Sequence, residues 1–171
     1  MENREEIAII FGSVSDYKKF KKDLELCEEL GLDANVEILS AHRNPDELDE
    51  FVKEQSCYVG SFITVAGLAA ALPGVVASKT IRPVIGVPVS NKLGGIDALL
   101  SIVQMPTGVP VATVGIDNLK NAILLAARIA TVSTDIHACM AMSEKLTAYN
   151  ERIAAQKETD RKFAKLKTTK L

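Results

Sequence analysis

The sequence predicts an α/β fold built on a five-stranded parallel sheet, and three observations carry that expectation. Five short apolar runs recur, at residues 7–11, 36–39, 62–66, 84–87 and 111–114. A helical pattern separates each run from the next, which is the mark of βαβ units. The runs are continuous rather than alternating, as strands covered on both faces are. Right-handed crossovers then favour the order 2-1-3-4-5, a flavodoxin-like three-layer αβα arrangement.

The elements follow in order. Ile7, Ile9, Ile10 and Phe11 make the first strand, and Gly12-Ser13-Val14-Ser15-Asp16 the turn after it. Phe20, Leu24, Cys27 and Leu30 then recur at helical spacing over 16–30, and Gly31 supplies the stop. Residues 36–39 form the second strand. Asn44 is placed to cap, and Pro45 to open, a helix running to Gln55. After the third strand, 67–72 is a loop of small residues, and Pro73 is expected to open a short helix ending near Thr80. The fourth strand leads into a flexible loop at 88–95 and a helix over 96–103. The fifth strand leads into an Ala/Leu-rich helix over 119–130. From Thr134 to about Leu166 the chain reads as one long C-terminal helix with Ile136, Met140, Met142, Leu146, Tyr149 and Ile153 as its apolar stripe. Residues 1–132 are therefore expected to be the flavodoxin-like catalytic domain. Residues 133–171 form a helical extension too long to bury its stripe on that domain alone, and it is expected to pack on a neighbouring subunit.

Composition narrows the function. The net charge is −2, Trp is absent and aromatics are 5%, which speaks against nucleic acid as a partner. The basic run at 162–167 suits a helix end more than a nucleic-acid arm. No apolar stretch is long enough for a membrane span, and the acidic start is unlike a signal peptide, so a cytoplasmic protein is expected. Cys27, Cys57 and Cys139 are odd in number and far apart, which suits buried or half-buried free thiols and neither a disulfide framework nor a metal site.

The candidate chemistry lies in the turns that follow the strands, because ligands of open α/β sheets bind at that edge. Ser13 and its neighbours at a helix start suit an anion, although they also suit a cap. Asp16 suits sugar hydroxyls better than phosphate. Ser40, His42 and Arg43 follow the second strand; Arg43 is a natural phosphate clamp and His42 a group able to move protons near neutrality. Gly67, Ala70, Ala71 and Leu72 belong to a loop small enough for close approach. His137 is expected at a surface or interface. The set offers a phosphate clamp, a hydroxyl binder and one imidazole, with no carboxylate pair, nucleophile triad or metal cluster. It suits proton transfer on a small phosphorylated molecule. A flavin electron carrier is the rival from fold alone, disfavoured by scarce aromatics. A non-catalytic nucleotide-binding module is the other rival, and it has no need of the imidazole.

The runs Gly12-Ser13-Val14-Ser15-Asp16, Ser40-Ala41-His42-Arg43-Asn44-Pro45-Asp46, Leu72-Pro73-Gly74-Val75-Val76-Ala77-Ser78-Lys79-Thr80, Pro83-Val84-Ile85-Gly86-Val87-Pro88-Val89 and Leu99-Leu100-Ser101-Ile102-Val103-Gln104-Met105-Pro106 occur in this order. Over about 7–130 they make the chain resemble the phosphoribosylaminoimidazole carboxylase catalytic-subunit family, the N5-carboxyaminoimidazole ribonucleotide mutases of purine biosynthesis. The resemblance implies conversion of that ribonucleotide to the 4-carboxy-5-amino isomer without metal or organic cofactor. It implies an octamer with exchanged C-terminal helices, acting on a phosphoribosyl substrate and carbon dioxide. It implies Ser13 and Arg43 on phosphate, Asp16 on the ribose hydroxyls, Ser40 and the 67–72 loop lining the pocket, and His42 as proton shuttle. Many mutases carry a histidine where Ala71 stands, which keeps a carboxylase using free carbon dioxide as the alternative. Arg43 and the Leu-Pro-Gly and Gln-Met-Pro runs favour the mutase.

Overall fold

The computed structural model describes residues 6–132 and 136–168, with side chains at 136–138 and 158–168 excepted. The strands are β1 (Glu6–Phe11), β2 (Asp33–Ile38), β3 (Ser61–Gly67), β4 (Val84–Val89) and β5 (Ala112–Thr113). They form one parallel sheet in the order β2-β1-β3-β4-β5. The helices are α1 (Val14–Phe20), α2 (Glu25–Leu30), α3 (Pro45–Gln55), α4 (Ala71–Ala77), α5 (Ile96–Val103), α6 (Leu119–Ala130) and α7 (Ile136–Thr168).

Side-chain alternation divides the core in two. Ile7, Ile9 and Phe11 of β1 join Ile63, Val65, Ile85 and Val87 against α1, α2, α6 and α7. Ala8 and Ile10 join Phe62, Ala66 and Val84 against α3, α4 and α5. The result is the expected three layers. Each fully buried Ile or Phe contributes about 1.5–3 kcal/mol relative to exposure. Coverage is not uniform, because the edge strand β2 is largely open to solvent and β5 spans only two residues.

Several local expectations are corrected. The helix read over 16–30 starts earlier, at Val14, and a 3₁₀ turn at Lys21–Leu24 breaks it; Gly31 does terminate α2, at φ 69°. Asn44 stands at the N-cap of α3, but its side chain makes no capping bond. Helix α4 starts two residues before Pro73 and stops at Ala77; proline is tolerated in a first turn because its missing N–H has no intrahelical partner there. Cys27 is buried and Cys139 half-buried, yet Cys57 is exposed. Burial, with help from the Glu28 charge, pushes the Cys27 thiol up to about 12, so it packs as an apolar group.

At 1.5 Å per residue α7 is about 50 Å long. Its stripe divides. Met142 and Leu146 are buried, and Tyr149 partly so, in the core of this chain's own domain, and Arg152 pairs with Glu29 of α2 at 2.5 Å. Met140 points away and is exposed, because it lies off the 142–146–149–153 face. The stripe is thus not left wholly for a neighbour. The expectations for the side chains of Ile136, His137 and the run 162–167 fall outside the described residues.

Helix α5 approaches β4 closely at Gly86. A Cβ there would lie 2.5 Å from Ile102 Cγ2 and 3.2 Å from Val111 Cγ1, with Ile102 fully buried. Gly86→Ala should therefore destabilise the fold by about 1–3 kcal/mol through overpacking, read as a lower urea midpoint with unchanged m-value.

Candidate active site

The C-terminal ends of β1, β2 and β3 open into one cavity of about 470 Å³, within the usual range for small-molecule sites. All nine residues singled out from the sequence line it: Ser13, Asp16, Ser40, His42, Arg43, Gly67, Ala70, Ala71 and Leu72. The structure brings together every one of them.

Each wall has a local cause. On the first, Ser13 is extended at φ −157° and caps α1, its Oγ accepting from the Asp16 amide at 3.1 Å. The same hydroxyl donates to Asp16 Oδ2 at 2.7 Å and lies 2.8 Å from Ser15 Oγ. The capping reading of Ser13 thus holds, on the cavity wall. The second wall is the turn at Ser40, whose carbonyl accepts from the Arg43 and Asn44 amides. Arg43 reaches back over the first turn, Nη2 donating to the Gly12 carbonyl at 3.2 Å. The guanidinium and the Ser13 helix start thus sit against the same short segment. The His42 amide donates to Ser40 Oγ at 3.4 Å, and the imidazole is exposed at the rim.

The third wall is the loop after β3. Leu68 and Ala70 both take positive φ, 57° and 39°, which costs non-glycine residues about 1–3 kcal/mol each. Ala70 and Leu72 are buried in the layer beneath and hold the loop in that shape, while Leu68 is exposed. Gly67 has room for little more: a Cβ would meet the Val89 carbonyl at 3.3 Å.

The loop at 88–95, expected from sequence at this edge as a loop able to cover a ligand, contributes one residue to the cavity wall, Asn91, which the sequence did not single out within it. Sequence reasoning missed a set of charges beside it. Asp117, at φ 57°, accepts from Lys19 Nζ at 2.6 Å and from the Ser90 amide at 2.9 Å, and from the Ser90 hydroxyl. Partial burial pushes the Asp117 carboxyl up, but Lys19 and the two Ser90 donors outweigh it and hold it below the usual carboxylate range. No local signal marks such a triad, since Lys19 and Asp117 are 98 residues apart. Residues 101–110, from the end of α5 to the start of β5, do not line the cavity. Among the described residues, no three His, Cys, Asp or Glu side chains gather as a metal site, and no Phe or Tyr lines the cavity.

Fold and site together define a flavodoxin-like domain with a small-ligand site at the strand ends, equipped with one imidazole, one guanidinium, one carboxyl group and several hydroxyls. Comparison with known proteins agrees in detail. The model of the AIR carboxylase family matches residues 6–156. A Methanocaldococcus jannaschii protein named N5-carboxyaminoimidazole ribonucleotide mutase is 49% identical over 147 residues, 86% of this chain and 89% of that protein. A Thermotoga maritima protein of the same name is 47% identical over 149 residues, 86% and 84% of the two chains. The crystal structure of Treponema denticola PurE superposes with a TM-score of 0.80 at 29% identity, over 92% of this chain and 96% of that one. The chain belongs to the AIR carboxylase family.

Removing the Ser13 hydroxyl tests whether it does more than cap. Ser13→Ala should lower stability by about 1 kcal/mol in urea denaturation through loss of the cap. It should also weaken orthophosphate binding in calorimetry. Unchanged phosphate affinity would leave Ser13 a cap and nothing more.

Proposed function

We propose that the chain is an isomerase of purine biosynthesis, converting N5-carboxyaminoimidazole ribonucleotide to 4-carboxy-5-aminoimidazole ribonucleotide. The observation that carries this reading is the meeting of Ser13, Asp16, Ser40, His42 and Arg43 with the 67–72 loop on one cavity. The names borne by its relatives support it.

The residues divide the work. Arg43 and the α1 start take the phosphate, because a guanidinium offers paired donors and free helix amides favour anions. Asp16 accepts from the ribose hydroxyls. Ser40 and the backbone of 67–72 surround the base. His42, as imidazolium, gives its proton to the exocyclic nitrogen as the nitrogen–carboxyl bond breaks and carbon dioxide is released. The enamine carbon 4 attacks that carbon dioxide, and the now neutral imidazole takes the proton carbon 4 sheds. Proton and carboxyl group are conserved, so the reaction needs no outside reagent. Small side chains at 69–71 leave the carbon dioxide close to carbon 4, which replaces a bimolecular encounter with a local one.

Ala71 bears on the alternative, a carboxylase taking carbon dioxide from solution. Substrate choice tests it: the 4-carboxy product should form from the N5-carboxy ribonucleotide without bicarbonate. Efficient formation from aminoimidazole ribonucleotide at low bicarbonate would overturn the mutase reading. His42→Asn should abolish turnover and leave ligand affinity within about tenfold, since a proton shuttle acts mainly on the barrier. Retained turnover would reject the shuttle.

The reading extends to assembly. Residues 1–132 carry the site, and 133–171 extend the subunit for packing in a cytoplasmic homo-octamer; three free thiols suit a reducing compartment. Ile96, Leu100 and Val103 support association, forming one apolar face of α5 that is about half exposed (53%, 50% and 48%). Light scattering should give an octamer for the native chain and a smaller species for Leu100→Glu with unchanged circular dichroism. A monomeric native chain would refute the assembly.

A further inference from the structure

The loop at 90–95 looks flexible in sequence, with two glycines and no apolar period. In the fold it is held at both ends by the turn between β5 and α6. At its start, the Ser90 amide and hydroxyl both donate to the Asp117 carboxylate, and the Asp117 amide donates to the Pro88 carbonyl at 2.9 Å. At its finish, Gly95 sits so close that a Cβ would lie 2.7 Å from Ile116 Cγ2 and 3.0 Å from Ser90 Cα. Lys19 of α1 completes the arrangement, donating to Asp117 Oδ1 at 2.6 Å and to Ser90 Oγ at 2.9 Å. Lys19 is one turn beyond Ser15 and Asp16, which line the cavity, and Ser90 directly precedes Asn91, which also lines it.

We infer that Lys19, Ser90 and Asp117 act as a positioning clamp that fixes Asn91 over the ligand opposite Asp16. The role of Asn91 as a ligand contact rests on the proposed site. The clamp itself rests on the hydrogen bonds just described. Three donors converge on one carboxylate, so removing either charge leaves a partly buried partner short of its bonds and frees the loop start. Asp117 holds a positive φ that asparagine also tolerates, so Asp117→Asn removes the charge without straining the turn. Lys19→Met removes the other charge from α1 and changes no residue of the turn itself. Asn91 binds ground state and transition state alike in this scheme, so its displacement raises KM and spares kcat.

The experiment has two arms. In the first, kcat and KM for N5-carboxyaminoimidazole ribonucleotide are measured for the native chain, Lys19→Met, Asp117→Asn, Asn91→Ala and the Asn91→Ala/Asp117→Asn pair. Asp49→Asn serves as control, because it breaks the Asp49–Lys79 ion pair of 2.7 Å between α3 and the end of α4, outside the cavity. Both clamp variants should raise KM about tenfold with kcat within about twofold, and the pair should be no worse than Asn91→Ala alone, since residues acting through one contact are non-additive. Additive losses, or unchanged KM in both clamp variants, overturn the inference. The second arm follows amide exchange at Asn91 and Gly94, whose amide donates to the Asn91 carbonyl at 2.9 Å. Exchange should quicken in Lys19→Met and Asp117→Asn and stay at the native rate in Asp49→Asn. Native-like exchange in both clamp variants overturns the clamp. A native chain that does not turn over the ribonucleotide defeats the functional reading, and the exchange arm still decides the clamp.

Discussion

The site depends on the register of the parallel ladder. Phe11, Ile38, Val65 and Val87 stand level across β1, β2, β3 and β4. Two residues later on each strand come Ser13, Ser40, Gly67 and Val89. Four loops thus leave the sheet from one line, and the groups that face the cavity need only short excursions to meet. A slip of one residue in any pair would turn every side chain of that strand to the opposite layer. Ile7, Ile9 and Phe11 belong to one packed layer, while Ala8 and Ile10 belong to the other. The same apolar burial that stabilises the domain therefore aligns the hydroxyls, imidazole and guanidinium.

Above that line the backbone is held away from its preferred conformations where the ligand would approach. Leu68 and Ala70 occupy the left-handed region without being glycine. The strain persists because the loop is anchored: Ala70 and Leu72 are 5% and 2% exposed and belong to the same core cluster as Val76 and Ile102. Burial of Leu72 alone, at about 1.5–3 kcal/mol, is of the size needed to offset one such residue. One side of the loop is committed to packing, which leaves the small side chains of 69–71 to shape the cavity.

What was legible in the sequence follows the range of the forces involved. Strands β1, β3 and β4 and helices α3, α5 and α6 announce themselves through local runs and periods, and their bounds came within two residues. Ser13, Asp16, Ser40, His42 and Arg43 were legible because a strand end followed by a helix start is a local pattern with a known place on the sheet edge. The break at Lys21–Leu24 was not legible, since Phe20 and Leu24 keep helical spacing through it. Nor was the outward turn of Met140, which only the docking of Met142 and Leu146 decides. Positive φ at Leu68 carries no residue signature, and the Lys19–Asp117 pair exists only once α1 and the β5–α6 turn have met. Each miss is a tertiary choice among locally equivalent options.

The same geometry bears on how one imidazole could serve a reaction that releases a gas. In the single chain the rim at His42 and Arg43 is exposed, whereas in the proposed reaction carbon dioxide set free beside the base would have to recombine before it diffuses away. The 67–72 loop, anchored through Ala70 and Leu72 in the layer beneath, lines the cavity on the side of β3. On the proposed reading, the ribose and phosphate of a bound ribonucleotide would cover part of the exposed rim, contacted by Asp16 and Arg43. The clamp at Ser90 and Asp117 sets the height of the wall carrying Asn91, and the apolar face of α5 begins just after that wall, at Ile96. A second copy docked on that face would lie next to the remaining gap. On the proposed assembly, closure of the pocket and association of the chain would draw on adjacent surfaces, which would give the half-exposed stripe on α5 a catalytic consequence as well as a structural one.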